Sequence, residues 1–243
     1  MSTTFELIDQ LYRSRLTILQ ILKDRGYNTK PYENFGPAEI ESMLVARENT
    51  PAKMKEKGGA FRIDVERLSA ADSISDDPKA KEQGKKWADS PIKKCRVIYV
   101  FTKLKTRLSS FIQNLLDAES DDYVNPADTE VMVILALPEG ESVAETFHAE
   151  AYRQWSSSNR FRISFFRLAN LVIHPSSHVL VPKHEFVPKS TVPFSPTERL
   201  KLPFIRFHED MQARILGLVP GDVVKITRPS PASGEYTIYR ICA

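Results

Sequence analysis

Three histidines near one another are the first residues of this sequence whose type and spacing could do chemistry. His174, His178 and His184 are close in the chain, and imidazole nitrogen is a common zinc ligand. Pro175 and Pro182 break any helix face that the three could share, and cysteine and carboxylate partners are poorly placed. The sequence therefore favours structural or solvent-exposed histidines over a zinc site, and it predicts neither a metal nor a cofactor.

Basic residues greatly outnumber acidic ones between positions 81 and 107, although the whole chain has a formal net charge of only +3. Lys103, Lys105 and Arg107 fall in the first turn of a predicted helix, where partial positive charge suits a phosphate. Two interpretations stay open: a sequence-independent patch close to DNA, and a solvated surface of mixed charge. In the first, the DNA-proximal residues are Lys93, Lys94, Lys103, Lys105 and Arg107, with Lys85, Lys86 and Arg96 nearby.

Other chemistries lack the motifs that they need. The sequence contains no Gly-x-x-x-x-Gly-Lys-Ser/Thr, Gly-x-Gly-x-x-Gly or Gly-x-Ser-x-Gly pattern, so nucleotide hydrolysis and serine-nucleophile chemistry have no support. Cys95 and Cys242 are too few for a disulfide framework and are expected to be reduced thiols. No apolar run is long enough to span a membrane, and the N-terminus lacks a secretory signal pattern.

Two helices are predicted at the N-terminus. Residues 3–25 have apolar side chains at helical spacing, with Thr3 and Glu6 as a capping box and Gly26 as the left-handed stop. The apolar stripe is Phe5, Ile8, Leu11, Tyr12, Leu19 and Leu22, and Arg15 falls off it. A second helix is predicted to start at Pro37.

The middle of the chain alternates between strands and helices. Strands are expected at 95–101, 131–137, 161–165 and 171–173. The pattern of 104–116 predicts a helix, and Ser142 and Glu145 are expected to cap the next one. This order is typical of an α/β domain with parallel strands. Residues 47–91 are polar and punctuated by proline and glycine, which predicts a flexible insertion with one short strand at 60–65.

The C-terminal third is predicted to be a small α+β unit. Its proline-rich part, 182–203, is expected to hold little regular structure beyond one helical turn at 195–198. A short helix is predicted from Asp210 to a stop at Gly217, followed by a hairpin around Gly234. The expected core residues are Val223, Val224, Ile226, Tyr236, Ile238 and Ile241.

Four motifs in this third occur in a characteristic order. They are His-x-Leu-Val-Pro-x-His at 178–184, Leu-Pro-x-Ile at 202–205, Gly-Asp-Val-Val-Lys-Ile at 221–226 and Ser-Gly-x-Tyr-x-x-Tyr-Arg at 233–240. With these motifs the sequence resembles the fifth subunit shared by the nuclear RNA polymerases, whose C-terminal part is similar to a small subunit of the archaeal RNA polymerase. Lys-Asp-Arg-Gly-Tyr at 23–27 resembles the eukaryotic form as well.

The resemblance implies an architecture and a role. It implies an N-terminal jaw domain at 1–172, with a restriction-endonuclease-like fold, and a C-terminal assembly domain at 173–243. The assembly domain would dock on the largest polymerase subunit, and the jaw would lie beside downstream duplex DNA in the nucleus. The implied interface consists of His178, Leu180, Pro182, His184, Tyr239 and Arg240, with Tyr239 and Arg240 expected to be exposed. The loop at 138–142 is the family's DNA-approaching loop, but its two glutamates argue against close contact with phosphate.

The sequence also departs from the family pattern and leaves alternatives. Phe204 stands where the family has arginine, and the proline-rich approach to it replaces a longer charged helix. These changes suggest a divergent paralogue dedicated to one polymerase class, which would be nucleolar if that class is RNA polymerase I, and transcription factors are further candidate partners. The alternatives are a stand-alone nucleic-acid-binding protein and a nuclease of the same fold. The acidic-x-lysine triplet nearest the core, Asp77-Pro78-Lys79, lies in the insertion and not on a strand.

Overall fold

The structure is a computed structural model that describes residues 2–48, 59–68, 90–136 and 143–243. Within these ranges the chain forms two four-stranded sheets, one from each half of the sequence. The helices are α1 Ser2–Asp24, α2 Pro37–Glu48, α3 Leu108–Leu116, α4 Glu145–Ser156, α5 Pro196–Arg199 and α6 Met211–Leu216. The strands are β1 Ile63–Glu66, β2 Lys94–Val100, β3 Thr129–Leu135, β4 Ile163–Arg167, β5 Lys183–Val187, β6 Phe204–Ile205, β7 Val223–Ser230 and β8 Gly234–Cys242.

The first sheet has three parallel strands and one antiparallel edge. Its order is β1-β2-β3-β4, with β1 antiparallel to β2. Every residue of β3 is buried, which is typical of a parallel strand covered on both faces. Along β2, Val97 and Tyr99 pack towards α1 and α2, whereas Ile98 and Val100 pack towards α3 and α4. The sheet therefore lies between two layers of helices.

The predicted first helix is confirmed, with corrections to its start and its apolar face. It ends as expected at Gly26, which has a φ of 80°, but it begins before Thr3, which lies inside the helix and is not its cap. Phe5 is 71% exposed, and Arg15 is buried, so the predicted apolar face is wrong at both positions. The Arg15 guanidinium lies 4.7 Å from the centre of the Phe35 ring, and this cation–π contact offsets part of the cost of burial.

Helix α2 is also confirmed, and the short strand predicted at 60–65 is observed at Ile63–Glu66, after a 3₁₀ helix at Gly59–Phe61, but the predicted strand at 171–173 is wrong. A 3₁₀ helix, Leu168–Leu171, follows β4 directly, and its two leucines are buried against α1. Of the predicted run only Leu171 belongs to this helix, whereas Val172 and Ile173 form a bend after it. Periodicity alone does not distinguish such a short apolar run from a strand. Helix α4 follows Ala144 as its N-cap, and the predicted cap Ser142 lies outside the described residues.

The second sheet is a hairpin flanked by two edge strands. Its order is β5-β7-β8-β6, and the predicted hairpin β7–β8 is confirmed, with its turn at Gly234. Strand β5 is antiparallel to β7 and contradicts the expectation of little regular structure between 182 and 203. Pro182 and Pro188 flank this strand and do not interrupt it, so neither removes a hydrogen bond from the ladder.

The core of the second sheet is smaller than the sequence predicts. Four of the predicted core residues are buried: Val223, Val224, Ile226 and Ile241. Tyr236 is 58% exposed and Ile238 is half-buried, so the prediction is wrong for these two. Tyr236 lies opposite Arg228 near the hairpin turn, beyond the apolar cluster that β7 and β8 share with α6.

The two short helices of this half are confirmed together with their caps. Ser195 and Glu198 form a reciprocal capping box at the start of α5. The Asp210 carboxylate accepts hydrogen bonds from the backbone N–H groups at the start of α6, and Gly217 ends this helix with a φ of 64°. Local cap chemistry therefore determines where both helices begin.

A buried network around Arg25, here called the Arg25 clasp, joins the two sheets. Arg25 Nη1 donates to Glu130 Oε1 at 2.8 Å, and the hydroxyl of Tyr27 donates to the same oxygen at 2.8 Å. Arg25 Nε donates to the carbonyl oxygen of Ile215 at 2.8 Å, and Nη2 bonds the carbonyl of Arg214. One guanidinium thus neutralises a carboxylate at the start of β3 and caps the C-terminal carbonyls of α6, where positive charge is favourable.

Burial and charge act in opposite directions on Glu130. Burial would raise the pKa of its carboxyl group, but the charge of Arg25 opposes this effect. Arg162, the Tyr27 hydroxyl and Arg67 act in the same direction as Arg25, and the pKa of Glu130 is lowered below its ordinary value. Glu130 is therefore ionised at neutral pH, and the clasp contains a buried ion pair.

The outer edge of β4 is covered by side chains from the second half of the chain. Phe165 N–H donates to His208 Nε2 at 3.0 Å, and Phe165 C=O accepts from Arg214 Nη1 at 2.6 Å. Because His208 Nε2 accepts, its Nδ1 carries the hydrogen and donates to His148 Nδ1, 2.7 Å away. Burial, the charge of Arg214 and the neighbouring His148 lower the pKa of His208 to about 2, so this ring is neutral.

Replacing Arg25 with methionine is expected to destabilise the chain by about 3–5 kcal/mol, because it leaves the buried Glu130 carboxylate without its cation. The measurement is the free energy of unfolding of the full chain in denaturant. The matched control is Arg13→Met on α1, the helix that ends just before Arg25; the pair of Arg13 with Asp9 is exposed and should contribute less than about 1 kcal/mol. Equal effects of the two substitutions would contradict the structural role of the clasp.

His208 is expected to make stability depend on pH. Its pKa is about 2 in the folded chain and about 6.5 when unfolded, so between these values the unfolded chain binds a proton that the folded chain does not. Stability should therefore fall as pH drops below about 6.5, by up to about 1.4 kcal/mol per pH unit. His208→Gln, which keeps an acceptor for Phe165, should reduce this slope in unfolding measured between about pH 7 and pH 5, and burial of His148 accounts for part of what remains. His178→Gln, on an exposed loop, is the control; an unchanged slope in His208→Gln would refute the assignment.

Candidate docking surface

The loop that leads into β5 presents apolar side chains to solvent. A tight turn holds it, because Val181 N–H donates to the carbonyl of His178 at 2.9 Å. His178 Nδ1 accepts from Leu180 N–H at 3.2 Å. At the tip of this turn Val179 is 95% exposed and Leu180 is 84% exposed. We call these two side chains the loop patch; apolar side chains presented together in this way mark interaction sites.

Hydrogen bonds fix both ends of this loop. On one side Ser176 Oγ donates to Gln212 Oε1 of α6 at 2.8 Å. On the other side His184 Nδ1 bonds the carbonyl of Pro182 at 2.7 Å, and because a carbonyl only accepts, this nitrogen carries the hydrogen. Of the predicted interface residues, His178, Pro182 and His184 thus shape the loop, and Leu180 projects from it.

Tyr239 and Arg240, the other two predicted interface residues, lie on β8 and not in this loop. Neither is exposed, although exposure was expected. Both are half-buried on β8. The Tyr239 ring packs edge-on against Phe194, with centroids 5.1 Å apart, and Arg240 Nη1 donates to the carbonyl of Phe204 at 2.9 Å. Tyr239 therefore contacts the proline-rich segment before β6, and Arg240 contacts β6 itself, which the sequence alone did not indicate.

A second exposed apolar patch lies at the β6 edge. Phe204 is 60% exposed and Leu200 is 75% exposed, and we call the two the β6 patch. Strands β5 and β6 are the two edges of the sheet, so the loop patch and the β6 patch belong to opposite edges. In the sequence, Phe204 stood out only as a departure from the family pattern. The exposure of Leu200 and Val179 could not be predicted, because the sequence does not show whether a single apolar residue is exposed.

The structure separates the predicted DNA-proximal residues into two groups. Lys93 and Lys94 stand at the start of β2, whereas Lys103, Lys105 and Arg107 follow its end. Seven strand residues at roughly 3.3 Å each put about 20 Å between the groups. The described part of the cluster is therefore divided by the length of β2, and DNA contact by either group stays a prediction.

Two basic residues of this cluster, Lys94 and Arg96, form ion pairs or hydrogen bonds within the chain. Lys94 pairs with Glu66 at 3.3 Å. Arg96 donates to Asp64 at 2.8 Å and to the carbonyl of Asp122 at 2.8 Å, so it stabilises the β1–β2 edge. The second group remains on the surface, with Lys103, Lys105 and Arg107 exposed at the N-terminal side of α3.

Several sequence predictions lie outside the described residues. These are Lys85, Lys86, the triplet at 77–79 and the loop at 138–142. Across the described ranges, no group of three or more His, Cys, Asp or Glu side chains is placed to hold a metal ion. In the same ranges no helix combines the length and the apolar character that crossing a membrane requires.

The second sheet, with its loop patch, corresponds to a known protein family. The family model described as RNA polymerase Rpb5, C-terminal domain, matches residues 173–242. An archaeal relative named DNA-directed RNA polymerase subunit Rpo5, from Metallosphaera sedula, is 43% identical over 79 residues, which cover 93% of that protein and 30% of this chain. The chain belongs to the Rpb5 family.

Similarity to the Rpb5 family extends over the N-terminal half as well. A relative from Dictyostelium discoideum, named DNA-directed RNA polymerases I, II, and III subunit rpabc1, is 28% identical over 242 residues. The aligned region covers 98% of this chain and 99% of that protein. The Rpo5 subunit of Methanosarcina barkeri is 43% identical over 68 residues, or 86% of its length. The two archaeal relatives thus match less than a third of the chain, and the eukaryotic relative matches nearly the entire chain.

Proposed function

We propose that this chain is a non-catalytic subunit of a nuclear DNA-directed RNA polymerase and that it docks on the largest subunit through its C-terminal sheet. The observation that carries the proposal is that the Rpb5 family match covers the segment that exposes the loop patch. Val179 and Leu180 are held out by a hydrogen-bonded turn, so burying them requires another chain. The eukaryotic relative supports the nuclear location.

The N-terminal half has a different role in this proposal. Residues 1–172 form a jaw domain of restriction-endonuclease-like fold, and residues 173–243 form the assembly domain. The jaw lies beside downstream duplex DNA, and Lys103, Lys105 and Arg107 face the phosphates. Their position at the N-terminal side of α3 supports this, because helix dipole and side chains contribute charge of the same sign. Nucleotide addition belongs to other subunits.

Docking through the loop patch predicts a specific loss of assembly. Leu180→Glu should reduce recovery of the largest polymerase subunit with the affinity-tagged chain by at least about tenfold, because a charge would be buried against an apolar surface. The melting temperature should not change, since Leu180 is exposed. The matched control is Phe5→Glu, which changes a similarly exposed apolar residue on α1.

The same purification decides the polymerase class. A chain dedicated to one class should recover the largest subunit of that class alone, and dedication to RNA polymerase I would place it in the nucleolus. Equal recovery of all three classes would show a shared subunit. Undiminished recovery with Leu180→Glu, in a folded variant, would refute docking through the loop patch.

The proposed DNA-facing residues predict which side of the jaw meets the duplex. A photo-crosslinking amino acid at position 103 should crosslink to downstream DNA in a transcribing complex, whereas one at position 93 should not, because β2 separates the two positions by about 20 Å. Crosslinks from position 93 alone would contradict the assignment. Tight DNA binding by the isolated chain at physiological salt would instead indicate a stand-alone nucleic-acid-binding protein.

A further inference from the structure

A groove beside α3 lies in the jaw half, apart from the proposed docking surface, and it shares only Arg107 with the proposed DNA contacts. It is a cavity of about 130 Å³ between α3 and the β1–β2 edge of the first sheet. Its floor and one wall are apolar: Ile98, Val100, Leu104, Phe111 and Leu115. A cavity of roughly 150 Å³ is known to hold a benzene molecule, so this groove has room for one large apolar side chain.

The other wall of the groove carries arginine. Arg62 donates Nε to Asp64 at 2.6 Å and places Nη1 3.7 Å from Asp122, and Arg96 shares the same Asp64 at 2.8 Å. A guanidinium has five N–H donors, so the bond of Arg62 to one carboxylate leaves donors for a second. The ion pairs with Asp64 and Asp122 hold Arg62 in place at the mouth of the cavity.

The α3 side of the groove adds a third arginine. Arg107, the residue before α3, lines the cavity, and exposed Ser110 and Asn114 continue along the same face of the helix. Among the described residues that line the groove, three are arginines and one, Asp122, is a carboxylate. Asp64, beside the groove, pairs with Arg62 and Arg96, so cationic side chains outnumber these carboxylates. The charge of the groove thus complements an acidic ligand, and its floor complements an apolar one.

We propose that this groove binds a short acidic segment of another protein, with one phenylalanine or leucine side chain seated in the cavity and flanking carboxylates on Arg62 and Arg107. Duplex DNA fits the groove less well, because phosphates would use the arginine walls but would leave the apolar floor empty. The proposal does not depend on docking through the C-terminal sheet, since the groove lies entirely in the first sheet and α3.

The test measures binding of the full chain to a fluorescently labelled peptide in which one phenylalanine is flanked on both sides by aspartates. Binding should weaken by at least about tenfold when the peptide phenylalanine is replaced by alanine, and also when its aspartates are replaced by asparagines. In the protein, Asn114→Trp should fill the groove and weaken binding to a similar extent. The control is Gln113→Trp, one position along α3 and turned about 100° away, which should bind normally.

A second pair of variants separates a peptide groove from a DNA surface. Arg107→Ala should weaken peptide binding, whereas Lys105→Ala, in the same turn but not in the groove, should leave it unchanged. Both variants should weaken any contact with a short DNA duplex equally. The proposal is overturned if the wild-type chain does not bind the peptide, if Gln113→Trp and Asn114→Trp act alike, or if the duplex displaces the peptide and is itself blocked by Asn114→Trp.

Discussion

The buried ion pair between Arg25 and Glu130 is the interaction on which the arrangement of the two sheets depends. Charges removed from water are expensive unless every group finds a partner, and here the guanidinium meets one carboxylate and two backbone carbonyls. The partners come from the start of β3 and the end of α6, which are far apart in sequence. Removing any one of them would leave a buried charge or a bare helix end, so the clasp requires both halves of the chain to fold against each other.

Polar side chains connect the halves beside the apolar contacts that Met211, Ile215 and Phe207 make with the cores of the first half. Next to the clasp, His208 and Arg214 satisfy the outward-facing backbone groups of Phe165 at the edge of β4. An unpaired strand edge invites association with another chain, and these two side chains prevent it. Four of the six large apolar side chains that are exposed from residue 173 onward lie in the loop patch and the β6 patch, and the other two are Ile173 and Tyr236. The two patches thus leave apolar surface exposed for a partner, while hydrogen bonds satisfy the polar groups between the two halves of the chain.

Local signals predicted most elements of this fold. Gly26, Gly217 and Gly234 mark helix stops and a turn, and their positive φ angles follow from the absence of a Cβ atom. The pairing of Arg25 with Glu130 could not be predicted from the sequence, since nothing in the residues around Arg25 indicates a partner more than a hundred positions away. For the same reason the basic cluster was predicted as one patch, although residues close in sequence lie at opposite ends of a strand. The surface sites are therefore less predictable than the elements that carry them.

The position of the apolar surface argues for a subunit whose partner covers it permanently. A free-standing protein gains nothing from a turn whose hydrogen bonds hold Val179 and Leu180 outward, because exposed apolar side chains contribute no burial energy. In the proposed assembly the same rigidity is favourable, since a turn that is already ordered loses little conformational entropy when it docks. The internal contacts of Tyr239 and Arg240 have a parallel effect, because they fix the segment that presents Phe204. Holding these apolar side chains exposed is unfavourable in an isolated chain, but the same rigid loop and strand are preorganised for binding in a complex.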